Sequence, residues 1–503
     1  LSDNNSQLLL ALDQGTTSSR AIVFDTTGKP LSIARKELSQ SYPHPGWVEQ
    51  DPMEIWSSQN AVAIEALSRV NLKPKQIAAI GITNQRETIV VWDRKTGRPI
   101  HPAIVWQDRR TADHCADMKR VFGETALHQK TGLRFDPYFS ASKLTWILDH
   151  VPDARRRAEA GELACGTADS WLVYQLSGGQ LHVTDVSNAS RTLLCDLSTG
   201  NWDDALLELF KIPRALLPEV RSSAEVYGHV AEGHFAAGVP IAGIAGDQHA
   251  ALFGQACFDT SKVKCTYGTG CFLVTNTGSQ RIYSRNNLLT SIAWKIGNNT
   301  EFTLEGSVFI AGALFQWLRD SLKIVQNTKE IDQLASSVPD AAGLVIVPAF
   351  AGLGAPHWDP YARGVALGIT RGTHRAHFCR AAVEAVALQC AELIECMQED
   401  RGFPLVELRV DGGAAHSQPL MQLQADLLNV PVVRPVCTET TALGAAYLAG
   451  LGVGLWTSKD AIASQWQADQ TFVPKPNEEL LSILRKSWSR ALNHARDWGN
   501  FNH

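Results

Sequence analysis

The feature that most constrains this chain is one pattern met twice, about half a chain apart. Residues 8–25, LLLALDQGTTSSRAIVFD, read as an apolar strand, a Gly/Thr/Ser turn and a second apolar strand, the pattern of a hairpin. Residues 263–275, VKCTYGTGCFLVT, repeat it around a second Gly-Thr turn. Two such units predict two homologous lobes, each opening on the same hairpin. The 503 residues have room for them at ~150 residues per domain with insertions. The boundary is expected near 254–262, giving lobes over 8–254 and 262–490. No repeat with a period of 20 to 50 residues and no low-complexity linker interrupts the pattern.

Around the hairpins strands alternate with helical stretches, which predicts α/β lobes. Strands are expected at 77–82 and 241–246. Helices are expected at 52–70, where Asp51 can cap and Pro52 suits the first turn, at 307–321 and at 375–399. The net charge is −5 and no Lys/Arg-rich run stands out, so no nucleic-acid partner is expected. Uncharged stretches such as 440–456 are short for a bilayer and interrupted by Gly444, Gly450, Gly452 and Gly454, so no membrane insertion is expected. Residues 1–7 are polar without a basic region and do not read as a secretory signal. Ten cysteines without a C-x-x-C pair read as buried thiols in a reducing cytoplasm, and the histidines show no transition-metal spacing. A homo-oligomer, dimer or tetramer, is expected.

The P-loop and the dinucleotide G-x-G-x-x-G are both absent, so phosphate must be held another way. In Asp13-Gln14-Gly15-Thr16-Thr17-Ser18 the glycine allows a tight turn, and the amides and hydroxyls after it can converge on phosphate oxygens. Asp13, at a strand end, is a candidate Mg²⁺ ligand through water. Gly268-Thr269-Gly270 offers the same chemistry from the second lobe. Either hairpin alone could be an ordinary turn; their recurrence favours function. A further strand at 405–410 ends in Asp411-Gly412-Gly413, with a helical run from about Ser417. Two glycines at that junction let a planar ligand approach the backbone, which suits an adenosine, although Gly-Gly is also a common simple turn.

With these hairpins stand Tyr138 to Trp146, YFSASKLTW, and Gly364 to Glu384, GVALGITRGTHRAHFCRAAVE. Both resemble the signatures of the FGGY family of carbohydrate kinases, within the actin/hexokinase/Hsp70 ATPase superfamily. Ala366 sits where a larger apolar residue is usual. Asn84-Gln85-Arg86-Glu87, Trp106 to Arg110, Gly246-Asp247-Gln248 and Tyr267 to Phe272 are most similar to those members that phosphorylate glycerol. The resemblance runs over about residues 8–455. It implies two ribonuclease-H-like lobes around a deep interlobe cleft, with ATP and Mg²⁺ used to phosphorylate a terminal hydroxyl of glycerol.

Glycerol needs directed hydrogen bonds and an apolar wall. Arg86, Glu87, Tyr138 and Gln248 are the candidate polar ligands, and Trp106 and Phe272 the wall. Arg86-Glu87 could otherwise be a surface ion pair. Asp247 follows the apolar run 241–245 and is the candidate general base and a candidate Mg²⁺ ligand with Asp13; the plain alternative is a helix N-cap. The resemblance further implies ATP contacts from Thr16, Thr17, Ser18, Arg20, Thr269, Gly312, Gln316 and Gly413, and from Ser417, which stands where many relatives carry Asn. Residues 228–238, GHVAEGHFAAG, contain no Lys or Arg, so strong inhibition by fructose 1,6-bisphosphate is not expected there. The rivals are a kinase acting on xylulose, gluconate or another polyol, and a non-catalytic ATP-driven clamp or filament of the superfamily.

Overall fold

The strand Leu8–Gln14 (β1) is buried along its whole length, because the sheet it belongs to is covered on both faces. The computed structural model describes residues 7–499. With Ser18–Phe24 (β2) and Pro30–Glu37 (β3), β1 forms an antiparallel meander. The chain then enters the helix Pro52–Arg69 (α1), whose Asp51 carboxylate accepts the Met53 amide at 2.8 Å with Pro52 in the first turn. Asp51→Ala is expected to cost about 1 kcal/mol, read as a lowered denaturation midpoint. Ile77–Asn84 (β4) returns parallel to β1. Ala224–His229 (β5) and Pro240–Gly246 (β6) complete a sheet of order β5-β6-β4-β1-β2-β3. The intervening segment carries a smaller sheet and the helix Ser140–His150.

After β6 comes the short helix Asp247–Gly254 (α2), and the pattern starts again. Lys262–Tyr267 (β7) and Cys271–Gly278 (β8) form the second hairpin, followed by Leu289–Ile296 (β9) and Asn299–Val308 (β10). The helices Gly312–Asp320 (α3) and Arg375–Arg401 (α4) lead to Glu407–Asp411 (β11). Then come the helix Gln418–Leu428 (α5), Val432–Pro435 (β12), the helix Thr440–Gly452 (α6) and Ala468–Phe472 (β13). This sheet has the order β9-β10-β8-β7-β11-β12-β13, with β7, β11 and β12 parallel. β3-β2-β1-β4-β6 and β10-β8-β7-β11-β12 therefore have the same arrangement. The fold is α/β with two lobes of ribonuclease-H-like topology.

One expected element differs. The helix placed at 307–321 starts only at Gly312. Ser307 and Val308 instead pair with Phe272 and Cys271 of β8, because the exposed edge of that hairpin needs a partner strand before the chain can turn. The helix at 375 continues to Arg401 and stops at Gly402, which takes the left-handed conformation, φ 77°.

The lobes are joined by α2 and α6. α6 follows the last parallel strand of the C-terminal lobe yet packs on the N-terminal sheet and against α2. The backbones touch at Gly254 and Gly444, where an added Cβ would lie 2.0 Å from the Thr440 carbonyl and 1.8 Å from the Ala250 carbonyl, respectively. This crossing is a close contact between the lobes, and α2 begins with Asp247.

Candidate active site

β1, β4 and β6 are neighbours and parallel, so their carboxyl ends open side by side, where ligands gather in α/β sheets. These ends deliver Asp13, the Gln85-Arg86-Glu87 run and Asp247. Asp247 is not the N-cap of α2; Gly246 is. The Asp247 carboxylate takes the adjacent Gln248 amide at 2.7 Å and lies 3.3 Å from Arg86 Nε, in the positive first turn of the helix. Its side chain is 30% exposed. The enclosing protein mass still raises its pKa; Arg86 and Lys264 oppose the shift and Asp13 adds to it. A carboxylate raised in this way is a better proton acceptor than a free one.

Arg86 is buried. Its Nη1 donates to Glu305 at 2.6 Å, and its Nε also lies 3.9 Å from Glu87. Glu87, the next residue, sits in the left-handed region at φ 61°, a conformation costly for a side chain of this size. It is held there by Ser140 Oγ, which donates to the Glu87 carbonyl at 2.9 Å, and by Arg191 Nε, which donates to the carboxylate at 2.6 Å. Burial raises the Glu87 pKa while Arg191 and Arg86 pull it down. The Arg86-Glu87 pair is therefore interior, not a surface ion pair.

The Tyr138 ring stands 5.5 Å from that of Trp106, and Trp106 stands 6.4 Å from Phe272. Phe272 comes from β8, so the apolar wall spans both lobes. The Lys143 ammonium donates to the carbonyls of Pro137, Tyr138 (2.8 Å) and Phe139 (3.1 Å); burial brings its pKa down to about 8. Lys143 thereby fixes the loop that carries Tyr138. Gln248 accepts from Lys264 Nζ at 2.6 Å. Arg86, Glu87, Trp106, Tyr138, Asp247, Gln248 and Phe272 thus come together at one interlobe site.

The first hairpin closes with the Gly15 amide on the Ser18 carbonyl at 3.0 Å. Thr17 is exposed at its tip and Ser18 is buried in β2. Thr16 Oγ1 accepts from Trp106 Nε1 at 2.9 Å, which ties the apolar wall to the hairpin. Trp106→Phe keeps a ring but loses that bond; kcat/KM is expected to fall about three- to tenfold, checked by steady-state assay. Arg20 lies opposite Asp13 across the hairpin and pairs with it at 2.6 Å and with Glu439 at 2.8 Å, so its charge is shared between two carboxylates. Burial raises the Asp13 pKa against the pull of Arg20.

In the second lobe the Gly312 amide donates to the Gly268 carbonyl at 3.0 Å and the Ala311 amide to the Thr269 carbonyl at 2.9 Å. The start of α3 is thereby locked onto the hairpin. Gln316 lies one turn on and is exposed. Gly412, at φ 85°, passes so close to Tyr267 that a Cβ would lie 2.6 Å from its carbonyl, whereas a Cβ on Gly413 would meet nothing within 4 Å. The junction is pressed against the hairpin on one side and open on the other. Ser417 caps α5 and donates to Asp332 at 2.6 Å, so its hydroxyl is already engaged.

Lys264, Arg191, Lys143 and Glu305 hold the candidate residues in place and were not disclosed by the sequence. Lys143 lay inside a recognised signature and could have been found there. Arg191 and Glu305 have no local signal, being 104 and 219 residues from the groups they meet.

Residues 8–254 match the N-terminal domain of the FGGY family of carbohydrate kinases and residues 263–453 its C-terminal domain. A glycerol kinase of Deinococcus radiodurans is 59% identical over 492 residues, 98% of each chain. One of Trichlorobacter lovleyi is 58% identical over 97% of this chain and 99% of that one. Among solved structures, Plasmodium falciparum glycerol kinase with ADP superposes with a TM-score of 0.91 at 34% identity, covering 97% of this chain and 98% of that one. A xylulose kinase of Lactobacillus acidophilus, 23% identical over 99% of this chain and 100% of that one, gives a TM-score of 0.89, a likeness of fold.

Proposed function

The chain belongs to the FGGY family of carbohydrate kinases, and from that membership we propose that it is an ATP:glycerol 3-phosphotransferase. ATP donates its γ-phosphoryl group in line to a terminal hydroxyl of glycerol, giving sn-glycerol 3-phosphate and ADP. The carrying observation is the meeting of Asp247 with Arg86, Glu87 and a Trp106–Tyr138–Phe272 wall at one interlobe site. The near-full-length identity to glycerol kinases supports glycerol over other polyols. The N-terminal lobe, 8–254, is assigned glycerol and phosphate binding, and the C-terminal lobe, 262–490, ATP and adenosine binding.

In this reading Arg86 donates to a glycerol hydroxyl, Glu87 accepts from one, and Tyr138 does either. The Trp106 and Phe272 rings exclude water from the carbon chain. Asp247 takes the proton of the attacking hydroxyl as the bond to phosphorus forms. The two hairpins hold the phosphates through amides and through the Thr16, Thr17, Ser18 and Thr269 hydroxyls, and Arg20 offsets part of the phosphate charge. Gly312, Gln316 and Gly413 receive the nucleoside; Ser417 contributes through the backbone that it caps.

Asp13 and Asp247 supply hard oxygen donors, and the Asp13 charge raises the Asp247 pKa, a repulsion that a divalent cation relieves. These residues fit Mg²⁺. Bound there, the ion would neutralise charge on the transferring phosphoryl group. Among the described residues no helix is long and apolar enough to cross a membrane. A cytoplasmic location and a homo-oligomer, dimer or tetramer, remain part of the proposal.

The test is coupled ADP release with no polyol, with glycerol, with dihydroxyacetone and with xylulose. Glycerol is expected to accelerate ADP formation most. Preference for xylulose would favour the rival sugar kinase, and indifference to every polyol a non-catalytic clamp.

A further inference from the structure

We propose that Glu305 is a positioning residue for polyol binding, through which the C-terminal lobe sets the shape of a pocket whose hydrogen-bonding groups belong to the N-terminal lobe. The inference rests on the glycerol reading above and extends it to a residue outside the pocket.

Glu305 stands in β10, where it pairs with Val274, and Ser307 pairs with Phe272. Residues two apart share a face of a strand, so β8 and β10 direct the Phe272 ring and the Glu305 carboxylate to the same side, toward the N-terminal lobe. There Glu305 Oε2 accepts from Arg86 Nη1 at 2.6 Å, and Oε1 lies 3.5 Å from Arg191 Nη1. Ser291 Oγ also donates to it. His249 lies 3.5 Å away but is no ionic partner, because burial brings its pKa down to about 3. Burial alone would raise the Glu305 pKa, but Arg191 and Arg86 outweigh it and hold the carboxylate ionised, below the usual range.

The consequence is geometric. Glu305 takes one end of the Arg86 guanidinium and Asp247 lies beside Nε, which leaves Nη2 without a protein partner among the described residues and available to a ligand hydroxyl. Arg191 is clasped between Glu305 and Glu87, its guanidinium lies 5.2 Å from the Tyr138 ring centroid, and its Nη2 is buried without a partner. One carboxylate of the second lobe thus reaches Arg86 directly, and Glu87 and Tyr138 through Arg191. A buried carboxylate between two arginines could also act only as a staple between lobes. The two roles differ in what they do to substrate binding by the folded enzyme.

The test is Glu305→Gln, which keeps size but removes the charge that holds both arginines. The KM for glycerol is expected to rise about tenfold or more, with the KM for ATP unchanged within about twofold, in protein whose fold is checked by its melting transition and circular dichroism. Glu305→Asp, which keeps the charge one methylene further back, should recover part of the glycerol affinity and serves as the test if the glutamine variant does not fold. A lowered melting temperature with an unaltered glycerol KM would overturn the proposal and leave a staple. Parallel loss of glycerol and ATP affinity would overturn it too. Failure of the unaltered enzyme to use glycerol would instead remove the reading on which it rests.

Discussion

Asp247→Asn is expected to lower kcat with glycerol by about two to four orders of magnitude and to leave the fold and the ATP site in place. The asparagine amide has the shape of the carboxylate and can still receive the Gln248 amide through its oxygen, a bond now of 2.7 Å, so α2 keeps its first turn. Arg86 keeps Glu305 at 2.6 Å, so no buried arginine is stranded. What disappears is the capacity to accept a proton from the attacking hydroxyl. Rapid-quench turnover measures the loss, and ATP binding measured by fluorescence separates it from a nucleotide effect. Loss of Mg-ATP affinity alongside kcat would assign Asp247 mainly to the metal, and near-normal turnover would remove it as the base.

How much of this site could be read from the chain depends on the range over which each residue acts. The strand ends were legible, because a run such as 241–245 followed by Gly-Asp is a local pattern, and so was the repeated hairpin. The start of α3 was not. Ser307 and Val308 are compatible with strand or helix, and only the register with β8 decides. The reach of Glu305 from one lobe to Arg86 in the other has no trace in spacing or composition, since it exists only once two sheets face each other. The glycines at 444, 450 and 452 read as interruptions of an apolar stretch. They lie inside a continuous helix, α6, where a small residue is demanded not by a turn but by what lies opposite: the Ala250 and Ala242 carbonyls at Gly444 and Gly452, and the Trp456 ring at Gly450.

That demand is greatest at Gly444, where Gly444→Ala is expected to cost about 3 kcal/mol or more, the upper end for overpacking. For a cooperative unit of lobe size this lowers Tm by about 6 to 12 °C. The added Cβ would lie 1.8 Å from the Ala250 carbonyl oxygen, a backbone atom of α2 with no rotamer to change. Nor can α6 retreat, because its other face is seated on the N-terminal sheet: a Cβ at Gly81 would lie 2.1 Å from the Ala445 carbonyl, and one at Gly243 2.4 Å from the Ala449 amide. Relief must come from parting α2 and α6, and α2 carries Asp247 on its first turn. Lost stability and lost turnover are therefore expected together, unlike Asp247→Asn, which spares the fold. Calorimetry and the coupled assay on one preparation distinguish the cases. Unchanged Tm would mean that the crossing yields easily to the added methyl group, and the overpacking argument would fall.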